Sequence, residues 1–187
     1  MNYNPKTKAL AVIVSQGFEP TNAAISPDGK SLAFLSSDRI LIYSSGGPGA
    51  IDTTGPVHDV SWFPDSGRLV YSAGPLGNSQ IYDTQPPNHP PISLTNDAGD
   101  HTEPAVSDDG HWLAFTNERG GTRHIWIRGL ISGEARQITE GACNSYSPAW
   151  EPGSRAIIFS SDCERGLGLP ELYRWTFAQS GGQVLQK

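Results

Sequence analysis

Four segments of this chain share one pattern, in which an apolar residue is followed by a turn and then by a run of apolar residues. The segments read ISPDGKSLAFLSS, WFPDSGRLVYSA, VSDDGHWLAFTN and WEPGSRAIIFSS, and they begin at Ile25, Trp62, Val106 and Trp150. Aligned on the turn, they are spaced by 37, 44 and 44 residues. A period of about 40–45 residues is typical of a four-stranded propeller blade. The repeat therefore predicts four blades packed face to face around an axis.

Each repeat predicts four short strands. The turn after the first strand combines Pro, which presets a dihedral, Asp, which bonds back to the backbone, and Gly, which accepts a positive φ. The second strand is almost continuously apolar, as in a strand buried between two sheets. The second and third strands read SLAFLS and ILIYS, RLVYSA and QIYDT, WLAFTN and HIWIR, and RAIIFS and ELYRW. More polar fourth strands follow, such as PISLT and ARQIT.

Composition agrees with an all-β chain and disfavours polyanionic partners. The 187 residues include 21 glycines and 15 prolines, which suits many tight turns. No segment keeps the helical period of about 3.6 residues over a useful length. The formal net charge is -6 without a Lys/Arg cluster, so we expect neither nucleic acid nor a membrane surface as a partner. No apolar run approaches the ~18 residues of a membrane span.

The sequence predicts one more outer strand than four four-stranded blades require. In a single propeller domain, the blades are predicted over about residues 20–55, 56–96, 101–140 and 145–187, with an extra strand at 8–15. Because an uncovered apolar edge aggregates, we expect Ala9–Val14 to be paired or covered. Three arrangements accommodate the extra strand: an eight-bladed ring formed by a homodimer, a piece of a longer propeller, or a four-bladed monomer with a terminal tail.

The repeat resembles that of TolB-type propellers, a Pro-Asp-Gly relative of the WD40 repeat. SPDGKSLAFLSSDR and SDDGHWLAFTNERGGTRHIWI carry the resemblance, whereas the other two units have GPLGNS and SDCERGLGLP in the loop after the second strand. The resemblance spans about residues 9–186 and implies a fold rather than one activity. Its members include periplasmic binding scaffolds, gating propellers of prolyl oligopeptidase-type peptidases and sensor domains. It therefore implies a periplasmic or extracellular location, although the N-terminus lacks a signal-peptide pattern.

Polar residues at the start of the innermost strands are the candidates for a binding site at the channel mouth. They are Asn22, Asp59, Glu103 and Ser147, with His58 and His101 beside them. One interpretation is a partly acidic mouth that takes a cation or the basic end of a peptide. The other is that these side chains cap strand ends. Histidine with a carboxylate could ligate a transition metal, but no ligand-spacing motif is present, so we predict neither a metal nor a cofactor.

A second set of candidates lies in the loops between the second and third strands, where an acid recurs beside an arginine. The set comprises Asp38, Arg39, Glu118, Arg119, Asp162, Glu164 and Arg165. An arginine fork can bond a nearby carboxylate or loop carbonyl groups and so brace adjacent blades. Ligand binding by the same side chains is the alternative interpretation.

The two cysteines and the tryptophans also allow two interpretations each. Cys143 precedes the first strand of the fourth unit and Cys163 lies in its loop between the second and third strands, so both fall on one face of one blade. They are either a disulfide, which implies an oxidising compartment, or two unrelated thiols. The tryptophans recur on predicted strands and indicate blade core rather than a sugar-binding platform. They are Trp62, Trp112, Trp126, Trp150 and Trp175.

No enzyme motif occurs in the sequence: there is no Gly-x-Ser-x-Gly elbow, His-Glu-x-x-His, phosphate loop or dinucleotide fingerprint. We therefore predict a non-catalytic propeller that binds a protein or peptide at its channel face. The alternatives are a propeller component of a hydrolase or lyase, and a self-assembling repeat module without a ligand.

Overall fold

The computed structural model describes residues 2–4, 9–11, 21–36, 38–53, 55–86, 89–163, 169–177 and 185–186. Within these residues every regular element is a β-strand, and none of them forms a helix that could span a membrane. Four antiparallel sheets of four strands each follow one another along the chain. The predicted all-β propeller fold with four four-stranded blades is therefore confirmed.

Two short strands, β1 (Asn2–Asn4) and β2 (Ala9–Ala11), precede the blades and pair with each other in an antiparallel sheet. Strand β2 lies within the range 8–15 predicted for the extra N-terminal strand, and among the described strands it pairs with β1. Tyr3 lies opposite Leu10, so the described part of the apolar segment, Ala9–Ala11, pairs with Asn2–Asn4. Residues 12–15 lie outside the described residues.

Blades 1 and 2 each contain four antiparallel strands in meander order. Blade 1 consists of β3 (Thr21–Ile25), β4 (Ser31–Ser36), β5 (Arg39–Ser44) and β6 (Gly47–Asp52). Blade 2 consists of β7 (Val57–Trp62), β8 (Leu69–Ala73), β9 (Gln80–Thr84) and β10 (Ile92–Ser93).

Blades 3 and 4 repeat this order. Blade 3 consists of β11 (Asp100–Val106), β12 (Trp112–Arg119), β13 (Thr122–Gly129) and β14 (Ala135–Gln137). Blade 4 consists of β15 (Ser145–Trp150), β16 (Ala156–Ser161), β17 (Glu171–Thr176) and β18 (Leu185–Gln186).

The core lies between the blades, because successive residues of a strand point to opposite faces and both faces of an inner strand are covered. Leu69 and Tyr71 of β8 pack against blade 1, whereas Val70 between them packs against blade 3. The tryptophans predicted to be core are core residues. Trp62 and Trp175 are buried, and the partly buried ones pack against the same apolar clusters: Trp112, Trp126 and Trp150.

The blades form an open arc within the described residues. Strand β7 packs on β3 and β4, β11 packs on β7 and β8, and β15 packs on β11 and β12. Among the described strands, none of blade 1 packs against blade 4 in the way that neighbouring blades pack. Ile25 of blade 1 and Leu172 of blade 4 are accordingly exposed. Among the described strands, the contacts that would close a four-bladed ring within one chain are therefore absent.

Candidate functional site

The first strand of each blade is interrupted by a bulge at the position predicted for the channel mouth. Register shifts occur between Thr21 and Ala23 in β3 and at the equivalent places in β7, β11 and β15. Three of the bulge residues have left-handed backbone conformations, with φ of 41° at Asn22, 54° at Glu103 and 55° at Ser147. A bulge unpairs backbone groups and re-aims a side chain, so these strands direct polar side chains away from the ladder of backbone bonds.

Two of these side chains connect consecutive blades through charge-assisted hydrogen bonds. The Asp59 Oδ2 accepts the backbone N–H of Glu103 at 3.1 Å and the Ser72 hydroxyl at 3.2 Å. The Glu103 Oε2 accepts the backbone N–H of Ser147 at 2.7 Å and the Thr116 hydroxyl at 2.6 Å. Each carboxylate thus satisfies the N–H that the next blade's bulge releases.

These inter-blade hydrogen bonds extend to blade 1, where the Asn22 Nδ2 donates to the Asp59 Oδ1 at 3.1 Å. At the other end, the Ser147 hydroxyl donates to the Glu103 Oε1 at 3.0 Å. The structure therefore brings the four predicted residues together as one carboxylate ladder, defined as Asn22, Asp59, Glu103 and Ser147. Every carboxylate oxygen in the ladder is engaged by a donor of the protein itself.

The rings of the two predicted histidines make their polar contacts outside the carboxylate ladder. The Nε2 of His58 lies 2.9 Å from the carbonyl oxygen of Gly74. His101 is buried, with its Nδ1 3.2 Å from the Ser79 carbonyl oxygen and its Nε2 3.2 Å from the Asp97 carboxylate. Among the residues that the structure describes, no three His, Cys, Asp or Glu side chains come close enough to hold a metal ion.

The predicted arginines bind carboxylates, but not the acids that precede them in the sequence. The Arg39 Nε donates to Asp52 at 2.6 Å, and this hydrogen bond raises the pKa of Arg39. The guanidinium of Arg119 donates to the Asp97 carboxylate at 2.7 Å and to the carbonyl oxygen of Ala98 at 2.6 Å. Because Asp97 and Ala98 belong to the connection between blades 2 and 3, Arg119 ties that connection to blade 3.

The acids of the second set have partners of their own. The Glu118 carboxylate accepts the Arg123 Nε at 2.6 Å. The Asp162 carboxylate accepts the backbone N–H of Asn144 at 2.6 Å, next to a disulfide that joins Cys143 to Cys163 with a Cα–Cα distance of 4.8 Å. Glu164 and Arg165 lie outside the described residues.

Sequence reasoning missed Asp100, which joins the start of blade 3 to the hairpin between β8 and β9. Its carboxylate accepts the backbone N–H groups of Gly77 at 2.7 Å and Ser79 at 2.9 Å, and also the Ser79 hydroxyl at 2.9 Å. Burial raises the pKa of Asp100, but these hydrogen bonds outweigh it and hold the pKa below its usual value. The acid-rich stretch NDAGDH was the available signal, since Asp in such loops binds backbone N–H groups.

The same hairpin exposes an apolar side chain at its tip. Leu76 is 86% exposed at this tip. The hairpin is hydrogen-bonded to the connection between blades 2 and 3, because the Gln80 Nε2 donates to the Asp97 carbonyl oxygen at 3.0 Å. The same connection carries the Asp97–Arg119 ion pair. We call Leu76, Asp97 and Arg119 the hairpin patch. It lies on the face where the loops before the first strands meet the loops between the second and third strands.

Solved structures share this architecture. A proposed TolB from Agrobacterium tumefaciens superposes with a TM-score of 0.77 at 24% identity, over 93% of this chain and 64% of that chain. At this level of identity the likeness concerns the fold.

Sequence relatives agree with the fold. A TolB homolog of Chlorobaculum tepidum is 32% identical over 92 residues, which is 49% of this chain and 21% of that protein. The Tol-Pal system protein TolB of Desulfosudis oleivorans is 30% identical over 101 residues, or 52% of this chain and 23% of that protein. The chain thus matches under a quarter of the length of these relatives. The family model of the TolB beta propeller domain matches residues 49–162, and the chain belongs to that family.

Proposed function

We propose that this chain binds a protein or peptide, without transforming it chemically, through the loops on its channel face. The observation that carries the proposal is the hairpin patch, in which Leu76 is 86% exposed at the tip of a hairpin that hydrogen-bonds to the connection bearing the Asp97–Arg119 ion pair. Protein-binding surfaces combine apolar contact at their centre with a polar rim.

The carboxylate ladder contributes to this function by positioning the loops rather than by contacting the partner. Asp59 and Glu103 already accept hydrogen bonds from the neighbouring blades, so a ligand would have to displace those donors. Other polar side chains of this face reach solvent at the ends of strands β5 and β12. Arg119 is 57% exposed although it is paired with Asp97, and Arg39 is paired in a similar way with Asp52.

The chemistry of the hairpin patch indicates the kind of peptide that it binds. Leu76 offers an apolar contact, while the exchangeable Asp97–Arg119 pair offers one carboxylate and one guanidinium. A peptide with an apolar side chain next to an acidic group fits this arrangement, since the acid can share the guanidinium and the apolar group can cover Leu76. The name of one relative, Tol-Pal system protein TolB, places that relative in a protein system and supports a protein partner here.

The proposal can be tested by panning a displayed random-peptide library against the chain. Enriched peptides should bind the wild type and lose about tenfold or more in affinity for Leu76→Asp and for Arg119→Glu, because a lost apolar or charge-assisted contact is worth about 1.4 kcal/mol or more. Peptides rich in apolar and acidic residues should dominate the selection.

Ile131→Asp is the matched control. Ile131 is also 86% exposed, but it lies in the turn between β13 and β14, which belongs to the opposite set of loops. This variant should bind the selected peptides like the wild type. Enriched peptides that bind Leu76→Asp and Arg119→Glu as tightly as the wild type would contradict the proposed site, and a library that yields no binder would contradict the proposed function.

A further inference from the structure

At the junction between blades 3 and 4, an aromatic ring of the chain itself covers the tryptophan at the end of β15. Phe177 stacks on Trp150, with the ring centroids 5.9 Å apart and the ring planes 11° from parallel. The same ring lies 5.1 Å from Trp112 and 4.8 Å from Trp175. These spacings are within the range at which aromatic pairs attract each other. Phe177 therefore occupies the centre of a group of three tryptophans.

The junction between blades 1 and 2 has an equivalent tryptophan but lacks the other rings. Trp62 and Trp150 each end the first strand of a blade, and each indole Nε1 donates to an alanine carbonyl oxygen of the preceding blade at 3.0 Å. The strand registers place smaller residues at the positions of the remaining three rings. Ser31 stands in place of Trp112, Thr84 in place of Trp175, and Pro86, two residues after Thr84, in place of Phe177.

A cavity of about 420 Å³ lies beside Trp62, and we call it the Trp62 cavity. Ser31 and Pro86, two of the smaller residues, line it together with Trp62 itself. At the junction between blades 3 and 4, the corresponding cavity of about 490 Å³ is lined by Trp112, and Trp150 is not among the described residues that line it. The side chain of Trp62 thus borders a cavity, whereas that of Trp150 is covered by a ring.

The outer strand β6 leaves room in the Trp62 cavity because two of its lining residues are glycines. A Cβ at Gly47 would meet no other part of the chain within 4 Å, and a Cβ at Gly49 would meet only the Ile42 Cβ, at 3.9 Å. An engineered apolar cavity of about 150 Å³ is large enough to bind benzene. The Trp62 cavity therefore has room for one aromatic ring or for a fused pair of rings.

The lining of the Trp62 cavity favours an uncharged ligand. Of the described residues that line it, none has a charged side chain. An ionised ligand would lose hydration there without gaining a charged partner. Ile42, Pro48 and Pro86 offer apolar contact, and the Trp62 indole offers the π surface on which a second ring can stack. An uncharged aromatic ring therefore fits the chemistry of this cavity.

We propose that the Trp62 cavity binds an uncharged aromatic ring of a ligand, which lies beside Trp62 as Phe177 lies beside Trp150. The ring belongs to an aromatic side chain of a peptide or to a free aromatic compound. The cavity is separate from the hairpin patch, because the turns that border it join β5 to β6 and β7 to β8. These turns belong to the opposite set of loops, so binding of a ring here does not depend on the function proposed above.

NMR titration of the ¹⁵N-labelled chain with small uncharged probes tests the proposal. Indole should shift the cross peak of the Trp62 Nε1–H, with a dissociation constant of about 10 mM or below. Phenol should bind about threefold or more tightly than cyclohexanol, because ring stacking adds to the burial of apolar area. N-acetyltryptophanamide distinguishes the two sources: binding as tight as that of indole indicates a peptide side chain, and weaker binding indicates a free compound.

Filling the cavity with a ring of the chain itself should remove the binding. Pro86→Phe and Ser31→Trp each introduce a ring that the junction between blades 3 and 4 already has, and each should weaken indole binding by about tenfold or more. Ile131→Phe is the matched control, because it adds the same ring at an exposed turn position and should bind indole like the wild type. Circular dichroism checks that every variant keeps the β-sheet spectrum.

Three results would overturn the proposal of a ring-binding cavity. The first is a Trp62 cross peak that indole does not shift. The second is cyclohexanol that binds as tightly as phenol. The third is indole binding that stays at the wild-type level in either folded variant, Pro86→Phe or Ser31→Trp.

Discussion

The junctions between blades 1 and 2 and between blades 3 and 4 are built differently from the junction between blades 2 and 3. In the first two, a tryptophan crosses to the preceding blade: the Trp62 Nε1 donates to the Ala24 carbonyl oxygen at 3.0 Å, and the Trp150 Nε1 donates to the Ala105 carbonyl oxygen at 3.0 Å. In the middle junction Val106 occupies the equivalent position and supplies apolar contact without a hydrogen bond.

The turns between the first and second strands of the blades show the same difference between the outer junctions and the middle junction. The Ser66 hydroxyl accepts the Asp28 N–H at 3.1 Å, and the Ser154 hydroxyl accepts the Asp109 N–H at 3.0 Å. The middle junction has Gly110 at this place, with φ of 71° and no side chain to bond blade 2. The two outer junctions therefore share a tryptophan and a serine contact, at places where the middle junction has Val106 and Gly110.

The largest expected difference between the two kinds of junction comes from truncating the residue at its centre. Trp62→Ala should lower the free energy of unfolding by about 3 kcal/mol or more, because it empties a large buried volume. Val106→Ala should cost only about 1–2 kcal/mol, since two methyl groups are removed. Urea unfolding measures both values.

Trp62→Phe is the control for the hydrogen bond to Ala24. It keeps most of the ring but loses the N–H donor, and should cost about 1 kcal/mol plus a smaller cavity term. Equal losses for Trp62→Ala and Val106→Ala would show that the two kinds of junction do not differ in strength.

The carboxylate ladder crosses both kinds of junction, so its truncation should not distinguish them. Glu103→Ala should lower the free energy of unfolding by about 2 kcal/mol, because the Ser147 N–H and the Thr116 hydroxyl lose a charged acceptor. Asp59→Ala should cost a similar amount through the Glu103 N–H and Ser72. Urea unfolding at neutral pH is the measurement.

Peptide binding separates this structural role from recognition. Both ladder variants should keep the affinity of the wild type for peptides that Leu76→Asp fails to bind, as long as the measurement is made where each variant is folded. Lost peptide affinity in folded Glu103→Ala would instead place the ladder in the binding surface.

Much of the fold could be predicted from the repeat, because local chemistry decides it. The segment SLAFLS coincides with β4, and QIYDT with β9, since apolar runs between Pro-Asp-Gly turns have few alternatives to a buried strand. The positions of the ladder could also be predicted, as equivalent places in each repeat.

The partners of the polar residues could not be predicted in the same way. Arg39 stands next to Asp38 in the sequence, yet it bonds Asp52, which lies directly opposite it on β6. Cross-strand neighbours of this kind depend on strand register, which the turn length sets and a short motif does not reveal. The ladder bonds from Asp59 to Glu103 similarly depend on how two blades pack.

A smaller effect should follow from moving a serine into the middle junction. Gly110→Ser places at blade 3 the hydroxyl that Ser66 and Ser154 supply elsewhere, and a Cβ there meets only the Pro64 side chain, at 3.5 Å. We expect a gain of up to about 0.5–1 kcal/mol from a new bond to the Asp65 N–H, reduced by the positive φ. Ser154→Ala should lose about 1 kcal/mol at the outer junction. Thermal unfolding of both variants measures the two changes in stability. A Gly110→Ser variant that is less stable than the wild type would show that the middle junction is too closely packed for the hydroxyl.

The weakest expected effect is a response of the two outer junctions to acid. Hydrogen bonds from the Ser26 hydroxyl and the Lys30 N–H hold the pKa of Asp28 below its ordinary value of 3.8. For Asp109, burial raises the pKa, but the Ser107 hydroxyl and other donors outweigh it and lower the pKa as well. These bonds fix the turns whose N–H groups reach across to the next blade.

A carboxyl group with a lowered pKa in the folded state stabilises the fold above its unfolded pKa, and this stabilisation disappears as the pH falls through the lower folded pKa. The double variant Asp28→Asn, Asp109→Asn should therefore be less stable than the wild type at pH 7, and the difference should shrink between about pH 5 and pH 2. Urea unfolding across this range at constant ionic strength is the measurement. Because both groups are largely exposed, the change should be small, and adding salt should reduce it further. A difference that stays constant with pH would mean that the carboxylate charge does not hold these turns, and that the outer junctions differ from the middle one only by their tryptophans and serines.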